Sequence, residues 1–136
     1  MMKEVFINVA VKDVNQSMAF YTELGFTNNP QYSDDQSKCM VWSDAIYVML
    51  MNHAKFQTFT AKPIADTKGN IAAIFALSVE SFDKVNEVVE KGLKAGGTEP
   101  KPLMDYGFMQ LRTIEDFDGH TWEIFFMDAT KVPEQG

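Results

Sequence analysis

The first clear pattern along the chain is an alternation. In VFINVAV, Val5, Ile7, Val9 and Val11 fall on one side and Phe6, Asn8 and Ala10 on the other, which is the period of a pleated strand. The period then changes. In DVNQSMAFYTELGF, Val14, Met18, Tyr21 and Leu24 recur at helical spacing, with Asp13 placed to cap the start and Gly25 to stop the run. NNPQYSDDQSK is turn-rich, and CMVWSDAIYVMLMN predicts two strands joined near Ser43-Asp44. HAKFQTFTAKPIADTKGN has weak periodicity and holds Pro63 and Gly69, so it predicts a connector with one short helix. The pattern then restarts. IAAIFALSV predicts a strand. ESFDKVNEVVEKGLKAGG predicts a helix with Phe82, Val85, Val89 and Leu93 on one side, Ser81 as its cap and Gly96-Gly97 as its end. TEPKPL, YGFMQLRTIE and HTWEIFFMD supply further strand candidates, and KVPEQG a loose tail.

The order strand, helix, three strands thus occurs twice, with Val11 corresponding to Val79. Identity between the halves is slight, so the duplication rests on pattern. It predicts an α+β fold built as a single domain over residues 1–136, with a first βαβββ module at about 3–53, a connector at about 54–70 and a second module at about 71–128. Two open, curved half-sheets packed side by side leave a concave trough, where a ligand would sit among the inward residues of both halves.

Composition narrows the function. The chain has 136 residues, 46% hydrophobic and 23% charged, enough for one domain with a real core. A net charge of -7 argues against a nucleic-acid backbone or an anionic membrane surface as partner. The single cysteine, Cys39, excludes an intrachain disulfide and cysteine-rich zinc motifs, and its strand setting reads as a half-buried packing residue. No apolar run reaches the roughly 18 residues of a transmembrane helix, and the opening MMKEVFINVAV lacks a signal-peptide cleavage pattern, so a cytoplasmic location is expected.

The stretch that raises a chemical question is DFDGHTWEIFF, Asp116 to Phe126, a turn followed by a strand in which Glu123 sits among Trp122, Ile124, Phe125 and Phe126. A carboxylate in an aromatic strand is costly unless it is paired, solvated or bound to a cation. Alternation sends Trp122, Ile124 and Phe126 one way, onto helices as core, and Glu123 with Phe125 the other way, into the trough. Arg112 is the chain's only arginine; it either projects into the trough to pair with Glu123 or an anionic ligand, or stands on the rim. Asn8 and Gln110 either orient a ligand or are satisfied by backbone and water. Phe6, Trp42, Tyr47, Met49, Met51, Phe108 and Phe125 are candidates for an apolar, adaptable lining, in a chain with nine methionines. Tyr106, before Gly107, is either part of a lip or a turn aromatic.

VKDVNQSMAFYTELGF resembles the first strand-to-helix segment of the glyoxalase/bleomycin-resistance/dioxygenase superfamily, the vicinal oxygen chelate (VOC) fold. DFDGHTWEIFF is similar to that superfamily's closing motif, commonly Asp-Pro-Asp-Gly before a strand bearing glutamate, with Phe117 here in place of proline. The resemblance spans nearly the whole chain. It implies a curved, partly open barrel-like sheet around a central trough, and in metal-dependent members a mononuclear site to which each half lends two ligands. Carried over by position, those slots fall on Phe6, Met49, Ile74 and Glu123. Phenylalanine and isoleucine offer no ligand atom, and a thioether is a poor ligand for hard or borderline divalent ions. His53 lies past the fourth strand; His120 is three positions from Glu123 and points to the opposite face of a strand. The expectation is therefore a small-molecule-binding protein with no metal and no cofactor, its ligand held by Glu123, Arg112, Asn8, Phe6, Met49, Gln110, Phe125 and Trp42. Resemblance further implies a homodimer. The alternative is a metal-dependent lyase, isomerase or dioxygenase using a divergent site around Glu123.

Overall fold

A computed structural model describes residues 1–132; the end of the predicted tail, 133–136, lies outside the described residues. The first module runs β1 (Val5–Val11), α1 (Val14–Leu24), β2 (Thr27–Asn29), β3 (Ser37–Ser43) and β4 (Ile46–Asn52). A short helix α2 (His53–Phe56) and a 3-10 turn (Gln57–Phe59) open the connector. The second module repeats the order with β5 (Ile74–Ser78), α3 (Phe82–Lys94), β6 (Met104–Asp105), β7 (Met109–Glu115) and β8 (Thr121–Met127).

Local chemistry sets the helix ends as the sequence predicts. The Asp13 carboxylate accepts the N–H groups of Asn15 and Gln16 at 3.0 and 3.1 Å, and Ser81 Oγ accepts that of Lys84 at 3.0 Å. Helix α1 stops at Gly25, whose φ of 128° a side chain would resist. Two expectations shift. TEPKPL makes only a bridge between Thr98 and Glu115 before the short β6, because Pro100 and Pro102 have no N–H to give a ladder. The strand expected from Ile71 begins at Ile74.

The strands form two four-stranded sheets, ordered β1-β4-β3-β2 and β5-β8-β7-β6, and they do not close into a barrel. In each, the strand before the helix pairs in parallel with the module's last strand. One face of each sheet is covered by helix. Val9, Val11, Met40, Val48 and Leu50 of the first sheet, and Leu77, Ile114, Trp122 and Ile124 of the second, join Phe20, Tyr21, Leu24, Val85 and Val89 in one core. Each such side chain contributes about 1.5–3 kcal/mol by leaving water.

The two modules share this core through their helices. Trp122, fully buried, packs edge-on to Tyr21 and Phe26 of the first module, at centroid distances of 5.8 and 5.9 Å. Helices α1 and α3 approach at Gly92, where a Cβ would collide with Ile114 Cδ1 and lie 2.8 Å from Leu24 Cδ1. Phe117, in the position where the resemblance leads one to expect proline, lies 5.4 Å from the Phe20 ring, against the space that Gly96 leaves open.

Candidate functional site

Pairing across the second sheet fixes what lies beside Glu123. In the β7–β8 ladder Thr113 is opposite Glu123, Leu111 opposite Phe125 and Glu115 opposite Thr121. In the β5–β8 ladder Ala76 is opposite Glu123 and Ser78 opposite Phe125. Glu123 and Phe125 are therefore on the open face, and Trp122 and Ile124 are fully buried on the helix side, as the alternation predicts. Around Glu123, half-buried, is a hollow of about 340 Å³ whose walls include Thr113, Thr121, Glu115 and Ile74, with Lys68 and Lys101 at its edge. Glu115 was not among the expected site residues. Its face depends on the register of an antiparallel pair, which strand periodicity alone does not give.

The first sheet presents a matching open face. Asn8 is opposite Met49, and Cys39 is opposite Met49 from the other side. Phe6 is opposite Tyr47, their rings stacked 8° apart in plane at 4.5 Å. Phe6, Asn8 and Met49 thus share one face, and Glu123 and Phe125 share another. Cys39 is fully buried rather than half-buried, and burial pushes its thiol pKa up, so it is a packing residue with little thiolate.

Three of the expected site residues are elsewhere. Arg112 is opposite Ile124, on the helix side of its sheet. Its Nε and Nη2 bind the Glu99 carboxylate at 2.9 and 2.8 Å, Nη1 donates to Asn86 Oδ1 at 3.1 Å, and Glu90 lies 3.0 Å from Nη2. It ties the middle of α3 and the loop after it to β7 and does not meet Glu123. Gln110 is opposite Phe126, on that same side, and donates to Asp105 Oδ2 at 3.3 Å. Trp42 sits at the irregular step between Val41 and Ser43 and packs on Phe26, 5.0 Å away, against the core. In each case the parity of the strand, or a bulge in it, turns the side chain away from the open face.

The turn before β8 is built around a buried carboxylate. Asp116 Oδ1 accepts the N–H groups of Asp118 and His120 at 2.9 and 2.8 Å, and Oδ2 accepts the Tyr21 hydroxyl at 2.5 Å. Tyr21 in turn accepts the Trp122 indole N–H at 2.9 Å. Burial pushes the pKa values of both Tyr21 and Asp116 upward, and the neighbouring Asp116 charge raises Tyr21 further. These groups tie the modules together. His120 does the same from the turn, with Nε2 2.7 Å from the Ala10 carbonyl, an acceptor that requires the proton on Nε2. A larger cavity, about 680 Å³, lies beside this turn, lined by residues of β1, the connector and β5; it includes Asn8 but not Glu123.

A chelated divalent ion would need three or four oxygen or nitrogen ligands. Phe6, Met49 and Ile74 supply none, and among the described residues no three His, Cys, Asp or Glu side chains are grouped to hold an ion. Glu115 brings a second carboxylate to the face of Glu123, and the pair falls short of that number.

Comparison with known proteins agrees with this architecture. Hypothetical protein SA1046 from S. aureus superposes with a TM-score of 0.76 at 24% identity, covering 93% of this chain and 95% of that one. A glyoxalase-related enzyme from Fulvimarina pelagi gives 0.77 at 20% identity over 93% and 88%. The fosfomycin resistance protein FosX from Mesorhizobium loti gives 0.69 at 14% identity over 96% and 97%. At these identities the likeness is one of fold. No curated protein sequence matches the chain. The sequence profile of the Glyoxalase/Bleomycin resistance protein/Dioxygenase superfamily matches residues 5–124, from the start of β1 into β8, and the chain belongs to this superfamily.

Proposed function

We propose that this protein is a cytoplasmic binder of a small, largely apolar molecule, held on the open sheet faces without a metal ion. The observation that carries the reading is the content of the four chelating positions, where Phe6, Met49 and Ile74 stand with Glu123. The aromatic and thioether groups favour apolar contact. Glu123, flanked by the hydroxyls of Thr113 and Thr121, supplies a charged acceptor for a polar or cationic group of the ligand. Phe6 and Ile74 are 51% and 52% exposed. A second copy of the chain would cover these faces, so the proposed binding unit is a homodimer with the trough completed across subunits.

A metal-dependent lyase, isomerase or dioxygenase is the second reading, and the proximity of Glu115 to Glu123 is what favours it. Elemental analysis decides between the two. Protein exposed to zinc, nickel, iron and manganese and then dialysed should retain far less than one ion per chain. About one ion per chain, lost in Glu123→Gln, would establish the metal enzyme instead.

A further inference from the structure

The connector does more than join the modules. It folds on itself at its start, where Gln57 Nε2 donates to the carbonyls of Thr60 and Lys62 at 3.0 and 2.7 Å. At its end, Thr67 Oγ1 donates to the Asp118 carbonyl at 2.5 Å. The Thr67 backbone there lies so close to Gly119 that any Cβ would overlap it, and Gly119 has a φ of 86°, so glycine is doubly required. Between these two points Pro63 and Ile64 line the 680 Å³ cavity, with Phe75 of β5 also in its walls. The volume is that of a pocket for a drug-sized molecule.

The charges at this cavity run against those of the chain. Lys12, Lys62 and Lys68 line it, and none of them is in an ion pair among the described residues. Its two acids are already engaged: Asp118 Oδ1 accepts the Lys12 backbone N–H at 2.9 Å, and Asp66 Oδ1 accepts those of Lys68 and Gly69 at 3.2 and 3.3 Å. Lysines thus outnumber acids around a partly apolar lining in a protein of net charge -7. We propose that this cavity, which adjoins the Glu123 hollow at Lys68 but is not lined by Glu123, is a second binding site for a small organic anion: an aromatic or branched aliphatic body seated on Phe75, Pro63 and Ile64, with its carboxylate or sulfonate at the lysines.

The test uses 4-phenylbutyrate and its uncharged amide as probes, titrated calorimetrically into the whole protein. The acid should bind at least about tenfold more tightly than the amide. Lys62→Gln and Lys68→Gln, both on exposed positions, should each weaken the acid several-fold and leave the amide unchanged. Ala72→Trp, at an exposed wall position, should abolish both by filling the space; circular dichroism checks that it folds, and the lysine variants decide the matter if it does not. Glu123→Gln should leave acid binding unchanged, which separates this site from the trough. Equal affinity for acid and amide, no binding of the acid at millimolar concentration, or loss of binding in Glu123→Gln would each overturn the proposal.

Discussion

Arg112 and Glu123 show what a single residue's position means here. Both lie in strands of one sheet, yet they face opposite sides because Arg112 is opposite Ile124 and Thr113 is opposite Glu123. The side taken by Glu123 was legible, since its own neighbours alternate. That of Arg112 was not, because its partners Glu99, Glu90 and Asn86 come from a loop and a helix that strand periodicity does not place. The side chain of Arg112 is 11% exposed and that of Glu99 22%. The guanidinium holds the Glu99 carboxyl below its usual pKa, chiefly through their hydrogen bonds. Folding therefore favours the ionised form. This contribution is complete above the unfolded value of about 4.3 and is lost as pH falls through the lower folded value. Glu99→Gln should cost roughly 1 kcal/mol at pH 7 after solvent screening, and the difference should shrink as pH falls through the lowered folded value. Urea unfolding of both proteins at neutral and at acid pH measures it. Glu123→Gln is expected to behave otherwise. It should fold normally, because no buried partner depends on the charge, and should weaken a ligand with a polar or cationic group about tenfold. Unfolding of that variant, with affinity intact in any folded fraction, would make Glu123 structural.

Among the elements, the helices were the most readable and the proline-bearing loop the least. Asp13, Gly25 and Ser81 carry their end signals within one turn of chain. By contrast, β6 holds two residues, and its place is set by pairing with β7 rather than by its own sequence. Helix α3 also hides a requirement that periodicity does not show. Gly92 lies within it, where glycine ordinarily costs about 1 kcal/mol relative to alanine. The close approach of Ile114 and Leu24 explains its presence. Gly92→Ala should gain that 1 kcal/mol of propensity and lose about 1–3 kcal/mol to overpacking. A net loss of stability is expected, seen as a lower midpoint in chemical denaturation with an unchanged slope. A stabilised variant would mean that the helices separate more easily than the shared core implies.

For the whole molecule, the duplication and its α+β architecture were legible because each module repeats a local pattern. How the modules meet was not. Tyr21, Phe26 and Trp122 come together from distant parts of the chain, and so do the walls of the cavity at the connector. The open faces carry the assembly prediction. Exposed Phe6, Ile74 and Met127 leave apolar surface on these faces that a second copy of the chain would cover. Light scattering at micromolar concentration should give twice the chain mass of 15.4 kDa, and a monomer mass would contradict it.

The central claim is that a small molecule binds on the faces of Met49 and Glu123, and the methionines report on it directly. Met49 is on the first open face, and Met109 and Met127 pair with each other on the second. Met18 and Met40 pack at the core, and the cavity at the connector has no methionine in its walls. Methyl-labelled methionine NMR, recorded while metal-free protein is screened with small organic molecules, reads all these places at once. A ligand of the proposed site should shift Met49 with Met109 or Met127 and leave Met18 and Met40 in place, with the shifts much reduced in Glu123→Gln. Binding that moves none of the three open-face methyls, or moves them only after a divalent metal is added, would contradict the account.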